Sequence, residues 1–122
     1  MKHVHQGRNQ CGQACVAMVL GLTLEAAICL VGKRGSTRTK DLVRALRMHG
    51  YKCPDRLKRL RDDEALPRRA ILKVKLEGDR NWHWVLIWDG MWHDPDQYSG
   101  QPLRKVNRWW ANQVSSYLEV MK

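Results

Sequence analysis

Three residues of this chain have the types and the order for one kind of reaction. They are a cysteine before a glycine (Cys11-Gly12), a histidine heading an apolar run (His83) and an aspartate before a proline (Asp94-Pro95). A thiol attacks carbonyl carbon once it loses its proton, and a neighbouring imidazole can take that proton and later give it to a leaving group. A carboxylate on the far side of the ring fixes the tautomer and supports the charged form. Cys11, His83 and Asp94 are therefore the candidate nucleophile, base and orienting acid. The anion that forms on the attacked carbonyl needs donors. The Cys11 N–H at a helix start supplies one. A glutamine just upstream supplies another, with Gln6 the first candidate and Gln10 the second. Gly12 allows close approach of a substrate, and Trp82 and Trp84, on either side of His83, are candidate substrate-contacting aromatics.

These residues need elements to hold them. The spacing of Cys11, Ala14, Cys15, Met18 and Leu22 predicts a helix from about Asn9 or Gln10 to Gly21. Its remaining circumference is also largely apolar, so it is central and buried. Cys11 falls at its N-terminus, where unpaired N–H groups and the helix dipole favour a thiolate. Thr23 predicts the cap of a second helix, ended by Gly32. Thr37 or Thr39 caps a third over 40–49, with Leu42, Val43 and Leu46 inward and Gly50 as the stop. Residues 54–67 read as charged loop with some helical turn, and residues 70–76 as a half-exposed strand.

The run Trp82-His83-Trp84-Val85-Leu86-Ile87-Trp88, the pair Asp89-Gly90 and the run Met91-Trp92-His93-Asp94 predict a hairpin with a two-residue turn. In that register Trp88 faces Met91, Ile87 faces Trp92 and Leu86 faces His93. His83 and Asp94 then become diagonal neighbours on one face, and a slip of one residue would separate them. Residues 108–121, with Trp109, Trp110, Val114, Tyr117 and Leu118, read as a short helix and a closing strand. Helices first and strands later make the fold class α+β.

Composition bounds the remainder. The 122 residues fit one domain, 1–122, and 43% hydrophobic residues suffice for its core, with 6 Trp standing in for absent Phe. No stretch approaches the roughly 20 apolar residues of a membrane span. The first residues lack the apolar segment of a secretory signal, so the expectation is a cytoplasmic protein. In that compartment the 4 cysteines are thiols, with Cys29 a buried small hydrophobe. The net charge of +10 favours acidic partners or serves as a solvated surface.

Taken together, Gln10-Cys11-Gly12-Gln13-Ala14-Cys15 with its apolar helix, His83-Trp84-Val85-Leu86 and Asp94-Pro95 resemble the bacteriocin-processing, double-glycine family of papain-like cysteine peptidases. The stretch from Gly35 to Gly50 is similar to the family's intervening helix. The resemblance extends to about Gly100. It implies a papain-like arrangement, N-terminal helices packed on a small antiparallel sheet, and cleavage after small residues such as Gly-Gly with no cofactor. The family's glutamine stands six residues before its cysteine, where this chain has His5, with Gln6 next to it.

The implied partner is a peptide or protein substrate, including an acidic one or a Gly-Gly tail. The runner-up within the enzyme class is a papain-like amidase or acyltransferase on cell-wall or other peptides. In the papain register Cys15 would be the nucleophile. Two other classes stay open. One is a zinc site drawing on Cys11, Cys15, His3, His5, His83 and His93. The other is a nucleic-acid-binding module built on the basic residues of 33–75 and exposed tryptophans.

Overall fold

The computed structural model describes residues 1–75, 82–106 and 113–122. Three helices come first: α1 (Cys11–Leu20), α2 (Leu24–Val31) and α3 (Thr39–Met48). Among the described residues six strands follow: β1 (Lys58–Arg59), β2 (Arg69–Lys75), β3 (Trp82–Trp88), β4 (Met91–His93), β5 (Gln101–Pro102) and β6 (Val114–Glu119). They form one antiparallel sheet in the order β1-β6-β2-β3-β4-β5. The fold is α+β, as expected.

Local chemistry explains the helix boundaries. The α1 segment buries every residue from Gly12 to Val19, because nearly all are small or apolar. Gly21 ends it with φ 70°, a left-handed conformation that glycine adopts at no steric cost. Thr23 caps α2 by accepting the Ala26 N–H at 3.2 Å, a contact worth about 1 kcal/mol. In α3 the first turn is tied by Asp41, whose carboxylate accepts the Arg38 N–H at 2.8 Å and pairs with Lys33 at 3.0 Å. Leu42, Val43, Ala45 and Leu46 point inward.

The helices cover one face of the sheet. Their core takes Ile71, Trp84, Leu86 and Leu118 from the strands and Val120 from just beyond β6. The opposite face carries Ala70, Leu72, Val74, Val85, Ile87, Trp92 and Tyr117, closed by Leu60, Leu66, Leu103 and Val106. The strand β2 is central, paired on both sides, and its apolar positions on both faces are buried. The half-exposed strand expected there is therefore a core strand, with Lys73 and Lys75 the positions that reach outward.

The hairpin register is as predicted: Leu86 pairs with His93, Ile87 with Trp92 and Trp88 with Met91. Both turn residues have positive φ, 49° at Asp89 and 82° at Gly90, which fits a primed turn and its Asp-Gly preference. The Asp89 carboxylate also binds Arg68 at 2.8 Å and Arg69 at 2.7 Å, fastening the tip to the start of β2.

Two further expectations change, and a third lies partly outside the described residues. Residues 54–67 contain the edge strand β1, two exposed basic residues without a pattern of their own. Charges on an edge also discourage pairing with another chain. Cys29 is exposed, since α2 buries Ala27, Ile28 and Val31 and turns Cys29 outward. Of the C-terminal prediction, the closing strand is β6; Trp109, Trp110 and the short helix fall outside the described residues. Among those residues no single helix is long and apolar enough to cross a membrane.

Candidate active site

The strand β4 stops after His93, so the edge of β3 from Trp82 to Val85 has no strand partner on that side. The start of α1 meets this open edge. The Trp84 N–H donates to the Cys11 sulfur at 3.4 Å. A backbone donor aimed at sulfur, together with the unpaired N–H groups of a helix start, is the setting that stabilises a thiolate.

His83 Nε2 lies 2.7 Å from Asp94 Oδ1, and both residues are buried. The ring and the Cys11 sulfur line the same cleft, and the sulfur acts on the ring's charge. Since Nε2 is engaged by Asp94, Nδ1 is the nitrogen left for the sulfur. Burial disfavours a charged ring, but the hydrogen bond to Asp94 and the pull of Asp94 and Cys11 outweigh it, so His83 is pushed up from 6.5 to about 10. The three candidate residues thus gather at one place: the ring is bonded to the carboxylate, and the sulfur stands in the wall of the same cleft.

These groups open into a cleft of about 340 Å³ whose walls include Gln6, Cys11, Thr37, Trp82, His83 and Asp96. Gln6 is pinned from both ends. Its Oε1 accepts the Gln10 N–H at 2.8 Å, and its Nε2 donates to Asp96. The second amide hydrogen remains for the cleft. Asp96 also reaches toward His83, with Oδ2 at 3.5 Å from Nε2. Its own N–H is held by Asp94 Oδ1 at 2.9 Å.

The expected substrate-contacting residues divide. Trp82 is 44% exposed and Trp84 only 5%, so Trp82 is the open wall and Trp84 a core residue with an edge in the cleft. Gln10 caps α1 and does not line the cleft; its backbone anchors Gln6 instead. Gly12 is buried beneath Thr37, and a methyl group there would collide with Thr37 Oγ1. The glycine lets the loop before α3 pack against α1; it does not admit substrate directly. That loop is further held by the buried Gln13, whose Nε2 donates to the Lys33 and Gly35 carbonyls at 2.9 and 2.7 Å.

Asp96, Thr37 and the Trp84 N–H were not anticipated. The acidic repeat in Asp94-Pro95-Asp96 was the one available signal, since it offers a second carboxylate beside the first. A strand-edge amide and a threonine 26 positions from Cys11 leave no trace in a motif.

The first residues of the chain strap across the turn after β4. The Gln6 N–H donates to the Pro95 carbonyl at 2.8 Å, His3 Nε2 to the Gln97 carbonyl at 2.7 Å, and His5 Nδ1 to the same carbonyl at 3.3 Å. With Nε2 donating, a neutral His3 accepts through Nδ1, so the 3.0 Å contact between His3 Nδ1 and His93 Nδ1 makes His93 the donor. Burial, reinforced by His3 and the chain amino group, pushes His93 down from 6.5 to about 4.

His93 thereby makes acid stability measurable. In the folded chain it stays neutral down to about pH 4, whereas unfolded it takes its proton near 6.5. Between those values the unfolded chain binds more protons, so its share of stability is complete above 6.5 and lost as pH falls through about 4. The full loss is about 3 kcal/mol. Urea unfolding at pH 7 and pH 4.5 measures it: His93→Gln is expected to narrow the difference between the two midpoints.

The zinc reading fares differently. Cys15 is wholly buried, and burial, then the neighbouring Cys11 and Asp94, push its thiol well up. Among the described residues, the group that could hold an ion is His83, Asp94 and Asp96, with no cysteine in it. Its closest pair is already joined by a hydrogen bond at 2.7 Å, which an ion would have to part. The basic run is also partly neutralised: Lys33, Arg34, Arg47, Arg61, Arg68 and Arg69 all pair with carboxylates.

In comparisons with known proteins, no family model and no curated protein matches the chain.

Proposed function

We propose that the chain is a papain-like cysteine hydrolase of the double-glycine type, cleaving a peptide or isopeptide bond after small residues through Cys11, His83 and Asp94. The observation that carries this reading is a single ring. His83 is bonded to Asp94 through Nε2 and lines the same open cleft as the Cys11 sulfur, which helps hold the ring's charge.

In the proposed cycle, His83 holds the Cys11 proton as an imidazolium beside a thiolate. The thiolate attacks the carbonyl carbon, and the oxyanion receives the Cys11 N–H and the free amide hydrogen of Gln6. As the C–N bond breaks, His83 gives its proton to the departing amine and a thioester remains. His83 then takes a proton from water, the hydroxide displaces the sulfur, and the acid product leaves with the thiolate–imidazolium pair restored. Replacing water by an amine would give acyl transfer, the runner-up reading. Free thiols throughout suit a reducing compartment such as a cytoplasm.

The test is a mass-spectrometric screen of peptides with Gly-Gly and bulkier residues before the scissile bond, with an iodoacetamide-treated control. Cleavage after Gly-Gly that alkylation abolishes is the expected result. Stoichiometric zinc in the purified protein, or cleavage that survives alkylation, overturns the reading.

A further inference from the structure

The cleft does not end at Trp82. A second pocket of about 290 Å³ continues from it, lined by Ser36, Thr37, Arg38, Thr39, Lys73, Trp82 and Trp84. Ser36, Thr37, Trp82 and Trp84 belong to both, so one chain of substrate can occupy the two together. Their charge differs. The first carries both signs, Asp96 at the wall beside His83 and Arg8 elsewhere on the lining. The second holds Arg38 and Lys73 and, among the described residues, no acidic one.

Lys73 is held in place by aromatic rings. It pairs across the sheet with Trp84, and its ammonium lies 4.8 Å from the Trp82 ring centre and 5.9 Å from that of Trp84. A cation over a ring face is attracted by the ring's electrons, and two rings restrict a long, mobile side chain. No carboxylate among the described residues lies within ion-pair distance of Lys73 or Arg38. This contrasts with the neighbouring Lys33 and Arg34, which are both paired.

We propose that this second pocket is the subsite for an acidic side chain of the substrate, a glutamate or aspartate a short distance along the chain from the scissile bond. The inference rests on the hydrolase reading and adds a substrate class to it. The carboxylate would meet the Lys73 ammonium and the Arg38 guanidinium, with the hydroxyls of Ser36 and Thr39 within the same walls. Its methylene stem would lie on Trp82, the exposed ring. A pocket of this size fits one side chain, and two cations do not make the longer basic track that a phosphate backbone follows. Peptide is therefore the occupant the geometry favours over nucleic acid.

The experiment uses the full chain and a set of peptides sharing one scissile bond. Each carries glutamate or glutamine at one of three positions on either side. At one position the glutamate peptide is expected to show about tenfold higher kcat/KM than its glutamine counterpart, a gap that shrinks with added salt. Lys73→Met keeps the stem against the rings and removes the charge, and with Arg38→Gln it is expected to bring the ratio near one. Cleavage with equal rates for both peptides at every position overturns the subsite and leaves the hydrolase standing. So does a preference that survives in the double variant. No cleavage of any peptide removes the hydrolase reading, and this inference with it. A fluorescent oligothymidylate that competes with the glutamate peptide and loses affinity in Lys73→Met would overturn it in favour of nucleic acid.

Discussion

Cys11→Ala is expected to fold and to hydrolyse nothing. The sulfur is the sole atom of the cleft that the proposed cycle bonds to substrate, so its removal should lower kcat by at least about 10⁴-fold. The structural cost is small, because the residue is half-exposed at a helix end and loses one weak acceptor, for the Trp84 N–H. That amounts to about 1 kcal/mol. The matched variant is Cys15→Ala, one turn deeper and wholly enclosed. It removes core volume and should cost about 1–2 kcal/mol in urea unfolding while leaving turnover in place. Active-site titration with a chromogenic thiol reagent, read with peptide turnover and unfolding midpoints, separates the two. Full turnover in Cys11→Ala would sink the proposed function; lost turnover in a folded Cys15→Ala would move the nucleophile.

The second large effect belongs to Asp94. Asp94→Ala strips His83 of the group that orients it and supports its charge, and should lower kcat about 10²–10⁴-fold. The pH profile gives the sharper reading. With Asp94 present, the imidazolium persists up to about 10, so activity should fall only as pH rises through that value. The stability His83 draws from its partners is likewise full below 6.5 and lost as pH rises through about 10. Without the carboxylate the alkaline limb should move toward 6.5. Asp94→Asn keeps an acceptor for the ring but no charge, so it should recover rate more than it recovers the limb. An alkaline limb that stays put in Asp94→Ala would mean that the ring's charge is set elsewhere.

How far the sequence revealed this arrangement depended on the range of the interactions involved. Helix ends were legible because glycine and threonine act within one turn, as at Gly21 and Thr23. The His83–Asp94 contact was legible because an Asp-Gly turn sets register and register sets faces. Gly12 was misassigned because its reason, Thr37, comes from a loop that only folding brings near. Cys29 was misread because an eight-residue helix presents an apolar face too short to distinguish from an apolar run. The strand β1 has two residues and no alternation to detect. Glutamine assignment turned on a contact between Gln6 and Asp96, 90 positions apart, and composition carries no trace of it.

The primed turn at Asp89-Gly90 has a consequence for how the site can vary. His83 and Asp94 sit eleven positions apart, and their meeting is a matter of parity. A single residue inserted at the tip would send ring and acid to opposite sides of the sheet. Residues added in matched couples, one to each arm, would lengthen the loop and leave the pair intact.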